Sequence, residues 1–206
     1  MKNPLHYQMS EYDCGPTSVL NAIIYLFERD EIPPAVIRNT MLYCLDCYSK
    51  EGIPGKRGTS RAAMMFLSNW LNECGNLGML NASSEYLSGE SVYIGAGSKI
   101  NQALSHGGAA VVRLFLDEPH YVLMTSARDG NILLFDPYYW DEPYEQKDIL
   151  IDMDHPREYN RIVPFSCFNQ EEDTLYALGK VPAREAVLIY NEKTRIPVED
   201  VIEYFI

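Results

Sequence analysis

The chain is predicted to adopt an α+β fold in which N-terminal helices pack on an antiparallel β-sheet. Three observations predict it. Helix-period apolar patterns dominate the first third, with Val19, Leu20, Ile23, Ile24, Leu26 and Phe27 the clearest set. From Ala110 the period shortens, giving strand-like runs at Ala110 to Leu116, His120 to Ser126 and Asn131 to Phe135. A tight turn at Arg128-Asp129-Gly130-Asn131 joins the last two runs, which makes them antiparallel.

Each element has a local reason. Residues 13 to 29 read as a helix with Asp13 as N-cap and Pro16 in the first turn, where its missing N–H costs nothing. Pro33-Pro34 breaks the chain, and a second helix is expected from Ala35 to Tyr48. Glu51 to Gly58 is a loop by composition. Thr59 or Ser60 can cap a third helix that ends near Cys74-Gly75. A short strand is expected at Glu90 to Ile94, then a short helix from Lys99 to His106 that stops at Gly107-Gly108. Past Asp136 the chain turns aromatic and acidic, and strand-like runs return at Thr174 to Leu178 and Ala186 to Tyr190. There is no internal repeat. We read residues 1–206 as one domain, with a core over about residues 1–140 and residues 141–206 as a C-terminal extension of it.

The chain has 17 basic and 29 acidic residues and a formal charge of −12. Such a surface repels phosphate backbones, which argues against a nucleic-acid partner. It tolerates or attracts a neutral or basic substrate, although solubility alone is sufficient reason for the charge. Five cysteines show no secreted disulfide spacing, and the opening Met-Lys-Asn-Pro-Leu-His-Tyr lacks the apolar stretch of a signal peptide. No run approaches the roughly 20 apolar residues of a membrane span. The expectation is a cytoplasmic protein with reduced thiols. The oligomeric state is not legible.

The chemistry lies in four residues. Cys14 opens a helix, Gln8 precedes it by six positions, and His120 and Asp136 follow far downstream. At a helix N-terminus the macrodipole and free N–H groups favour a thiolate, and a neighbouring imidazolium favours it further. His120 opens one strand and Asp136 closes the next across the hairpin, so both reach one edge of the sheet. There Asp136 can fix the imidazole tautomer. The Cys14 N–H and the Gln8 amide are the expected oxyanion donors. Gly15 is expected to leave room for substrate beside the sulfur. Tyr138, Tyr139 and Trp140 either line the cleft or pack the tail on the core. Taken singly, each residue has a bland reading, since a lone cysteine is usually inert core and an Asp before Pro is normally a turn former. Their joint order and spacing favour catalysis.

Two other features are weaker. Cys44-Leu45-Asp46-Cys47 lacks the second ligand pair that a zinc site requires and reads as two half-buried helix thiols. Asp152, Asp154 and His155 read as a solvated loop rather than a metal site. The chemistry at Cys14 needs no metal and no organic cofactor.

With these residues in hand, the chain resembles the C39 peptidase and C39-like family of the papain-like cysteine peptidase clan, in a stand-alone form. The resemblance rests on Gln8, Asp13-Cys14-Gly15, the segment Ile100 to Val112, His120-Tyr121-Val122-Leu123 and Asp136-Pro137. It covers about residues 5 to 140 and has no counterpart for Tyr138 to Ile206. It implies a papain-like fold, with Cys14 as nucleophile, His120 as general base and acid, Asp136 as orienter and Gln8 as oxyanion donor. The family is typified by peptidases that remove bacteriocin leaders after a double glycine. Its transporter-linked members continue into membrane spans and an ATPase domain, and this chain has neither. The expected activity is hydrolysis of a peptide amide through a thioester acyl-enzyme. Acyl transfer from a thioester donor with the same triad is the alternative, and a catalytically silent binding module is the third reading.

Overall fold

The structure is a computed structural model that describes residues 1–197. It is α+β, with five helices and a seven-stranded antiparallel sheet among the described residues. In chain order the elements are α1 (Cys14–Leu26), α2 (Pro34–Cys44), α3 (Arg61–Asn76), β1 (Ala82–Ser88), α4 (Lys99–Ser105), β2 (Ala109–Leu116), β3 (Glu118–Arg128), β4 (Asn131–Phe135), β5 (Leu150–Ile151), β6 (Arg161–Pro164), α5 (Phe165–Phe168) and β7 (Glu185–Asn191). The strands lie in the order β1-β7-β2-β3-β4-β6-β5. None of the described helices is long and apolar enough to cross a membrane.

A core lies on each face of the sheet. Ala109, Val111, Tyr121, Leu123 and Phe135 point to the side covered by α1, α2 and α3. Ala110, Val112, Val122, Met124 and Leu134 point to the side covered by α4 and the segment from Phe165 to Leu178. Burial on both faces explains why β2 is an unbroken apolar run rather than an alternating one. The segment past residue 140 supplies β7, whose seven residues are all buried between β1 and β2. That segment also supplies β5 and β6, two short strands that sequence reading passed over.

Several expectations are corrected. α1 ends at Leu26 rather than at residue 29, because Phe27 is extended and Arg29–Glu31 forms a separate turn closed by a Glu28–Glu31 capping box. α2 ends at Cys44 rather than Tyr48, so Cys47 lies in a loop, and of these two only Cys44 is a buried helix thiol. That loop is pinned by Asp46, whose carboxylate accepts from the Ser60 N–H and hydroxyl. Ser60 caps α3 as expected, accepting from the Ala63 N–H at 3.1 Å. The strand expected at Glu90 to Ile94 lies earlier, at Ala82–Ser88. β1 is an edge strand rich in Ser and Glu, so its apolar signal is thin, whereas Val92 and Ile94 are buried from a connecting segment. Thr174 to Leu178 is not a strand. Tyr176 has φ of 62° and bends the chain there, although Phe115 still exchanges two backbone hydrogen bonds with Tyr176 and Ala177.

Candidate active site

Cys14 is the first residue of α1 and lines a cleft of about 680 Å³ together with Gln8 and His120. The helix is docked one turn further on, where the Ser18 hydroxyl donates to the Tyr121 carbonyl at 2.9 Å. Cys14 and Ser18 share a helix face, so this bond sets the thiol beside His120, the neighbour of Tyr121 in β3. His120 Nε2 lies 2.8 Å from Asp136 Oδ1, and the Cys14 thiol lies on the same cleft wall, near enough to the imidazole to help raise its pKa. Asp136 follows the last residue of β4. The pairing Leu123↔Phe135 places it one step beyond the ladder and diagonal to His120, a separation side chains span.

Asp136 is fully buried, with a dense set of donors. Oδ1 also accepts from the Tyr138 N–H at 2.8 Å, and Oδ2 accepts from the Tyr176 hydroxyl at 2.9 Å. Its backbone is clamped by Asn160, which accepts from the Asp136 N–H at 2.7 Å and donates to the Asp136 carbonyl at 2.9 Å. Behind Tyr176 the network runs through the Tyr144 hydroxyl at 3.1 Å to Arg161 Nε at 3.2 Å. Burial works against the Asp136 carboxylate, but the imidazole, the Tyr138 N–H and Arg161 together hold its pKa below the usual value. Burial likewise works against an imidazolium at His120. The charge of Asp136, its hydrogen bond and the Cys14 thiol outweigh it and raise the His120 pKa from 6.5 to about 10.

Asp13 occupies the N-cap position of α1 as expected, but its side chain is used differently. Its carboxylate makes no capping bond to the helix. It turns back, accepting from the N–H groups of Met9 at 2.9 Å and Ser10 at 2.6 Å and from the Ser10 hydroxyl. Burial opposes the charge of Asp13, and these bonds outweigh it and lower its pKa. Asp13 thereby clasps the segment that carries Gln8. The Gln8 amide donates one hydrogen to the Ser10 carbonyl at 2.7 Å, which leaves its second N–H uncommitted. The Cys14 N–H donates no hydrogen bond among the described residues.

The remaining candidates divide. Tyr138 lines the cleft, as do Trp140 and Tyr144. Tyr139 does not; its ring meets Tyr7 edge-on at 5.0 Å and its hydroxyl donates to Asp141. Gly15 makes no room for substrate: a β-carbon there would come within 2.3 Å of Thr59 Oγ1, so the glycine permits close packing of α1 against the loop before α3. Asn160, Tyr176 and Tyr144 escaped sequence reading because each acts on a residue at least 17 positions away in the chain or from a loop without a pattern. Among the described residues no His, Cys, Asp and Glu group could hold a metal ion. Compared with protein-family models and with curated proteins, the chain matches none.

Proposed function

We propose that the protein is a cysteine peptidase of the papain-like type that hydrolyses a peptide amide bond through a thioester acyl-enzyme. One observation carries this reading: an imidazole hydrogen-bonded to a buried carboxylate shares the wall of an open cleft with a thiol at a helix N-terminus. The Cys14 thiolate attacks the scissile carbonyl carbon and forms the C–S bond. The resulting oxyanion is within the reach of the Cys14 N–H and the free N–H of Gln8. His120 imidazolium then gives its proton to the leaving amine, the C–N bond breaks and the thioester remains. Neutral His120 next takes a proton from water, hydroxide adds to the thioester, and the thiolate leaves as the carboxylic acid forms. Asp136 stays ionised throughout and holds the ring.

The test is exposure of the wild type and Cys14→Ala to a mixed peptide library, read by mass spectrometry. Cleavage by the wild type alone, with an acyl adduct on Cys14, is expected. The companion measurement is the pH dependence of Cys14 alkylation by iodoacetamide in wild type and His120→Ala. Identical profiles in the two would sink the catalytic pair. Products that join to an added amine rather than to water would move the activity to acyl transfer.

A further inference from the structure

We infer that the substrate of this site is a cationic peptide segment, one carrying Lys or Arg side chains beside the bond that is cut. The inference rests on the reading of Cys14 as nucleophile and adds its substrate class. Five carboxylates line the cleft, from Glu11, Asp117, Glu118, Glu145 and Asp173, and no lysine or arginine does. The whole chain carries 29 acidic and 17 basic residues, so composition alone would leave some positive charge in that wall. Nor is the cluster one acidic run of sequence. The five come from four separate segments: the turn before α1, the β2–β3 turn, the loop after β4 and the segment before Tyr176.

None of the five carboxylates makes an ion pair or a side-chain hydrogen bond among the described residues, and all five residues are exposed. Some acidic residues elsewhere do find partners, as Glu31 does with Lys193 and Glu192 with Arg195. Like charges that converge on a cleft whose one cationic group, the His120 imidazolium, is already paired with Asp136 create a field that a cationic ligand relieves and an anionic one meets as repulsion. The turn between β2 and β3 shows the placement most sharply. Pairing runs to Leu116↔Glu118, so Asp117 alone makes the turn, with φ of 56°. Asp tolerates that backbone region, and it sets a charge at the tip where glycine would set none.

Two further residues of the wall suit a lysine or arginine. Tyr138 and Trp140 are 37% and 40% exposed, offering ring faces to aliphatic stems and cationic heads.

The experiment measures binding to Cys14→Ala, which cannot turn substrate over. The probes are lysine-rich, glutamine-rich and glutamate-rich versions of one fluorescent peptide. The lysine-rich peptide is expected to bind about tenfold or more tighter than the glutamate-rich one. The gap should shrink from about 0.1 M to about 1 M salt, as the Debye length falls from about 10 Å to about 3 Å. Asp117→Asn with Glu118→Gln, and Glu145→Gln, should each narrow the gap, while Glu73→Gln on α3, outside the cleft, leaves it unchanged. Equal binding of the three peptides, or a gap that the cleft variants do not alter, overturns the inference. Alkylation of wild-type Cys14 by uncharged iodoacetamide separates the two readings. A Cys14 that depends on His120, with no charge preference, removes only the substrate class. An ordinary Cys14 with the preference intact removes only the catalysis.

Discussion

Two adjacent residues of β3, His120 and Tyr121, point to opposite faces of the sheet, and each meets a buried carboxylate. His120 meets Asp136, and Tyr121 donates to Glu185 at 2.8 Å. Both carboxylates are almost wholly buried and multiply bonded. Glu185 also accepts from the Tyr86 hydroxyl at 3.0 Å and lies 3.8 Å from Arg61 Nε and 3.7 Å from Arg113 Nε. Its partners are fixed in their protonation. Burial and the Glu185 charge push both tyrosines well above the ordinary phenol range, and the arginines stay charged. Asp136 differs in one partner: an imidazole, which exchanges protons near neutrality when unperturbed and shares the cleft wall with the Cys14 thiol. Burial of a carboxylate is therefore no sign of chemistry. The exchangeable proton beside it, and its route to a cleft, make the distinction.

The widest separation is expected between Asp136→Asn and Glu185→Gln. The first should slow turnover, and His120-dependent alkylation of Cys14, by about 10²–10⁴-fold, because the imidazolium loses its counter-charge. The second should leave Cys14 alkylation within about twofold while lowering stability by about 2 kcal/mol through lost charged hydrogen bonds. Equal losses of reactivity in the two variants would break the comparison. Gln8→Ala comes next, with turnover lower by about 10²–10³-fold and Cys14 alkylation by iodoacetamide nearly unchanged, since alkylation forms no oxyanion.

The pH dependence sharpens the same contrast. The His120 pKa is raised, so the native state keeps a proton that the unfolded chain releases near 6.5. The stability it contributes is complete below about pH 6.5, declines above it and is lost as pH rises through about 10. Turnover, which needs the imidazolium to protonate the leaving amine, should fall over the same upper limb, read as its pH profile. In Asp136→Asn the limb should move down toward the ordinary histidine value, and in Glu185→Gln it should stay in place.

The sequence made half of this contrast legible. Cys14 and Asp136 could be named because each sits where an element begins or ends; His120 was expected to open a strand and is instead the third residue of β3, and the hairpin at Arg128 to Asn131 fixed its approach to Asp136. Asn160 and Tyr176 could not be named. One heads a four-residue strand too short to show a period, and the other lies where apolar residues suggested a strand and a left-handed backbone made a bend. Asp13 was visible as a helix-start residue, but local spacing could not tell a cap from a clasp on the preceding turn. Gly15 was noticed and misread, because its partner Thr59 is distant in sequence.

Tyr176→Phe should have the smallest effect and tests whether the tail supports the site chemically. The substitution removes one donor to Asp136 Oδ2 and leaves the buried ring in place. Asp136 keeps His120 and the Tyr138 N–H, so the pair survives and turnover should fall by about tenfold or less. Loss of a donor to the charged form raises the pKa of a carboxylate. The acid limb of the Cys14 alkylation profile should therefore move up in Tyr176→Phe while the turnover limb near pH 10 holds. A purely structural tyrosine would lower the unfolding midpoint and move neither limb. If the profile is unchanged while stability drops, Tyr176 belongs with Tyr86 and Tyr121 on the structural side of the comparison.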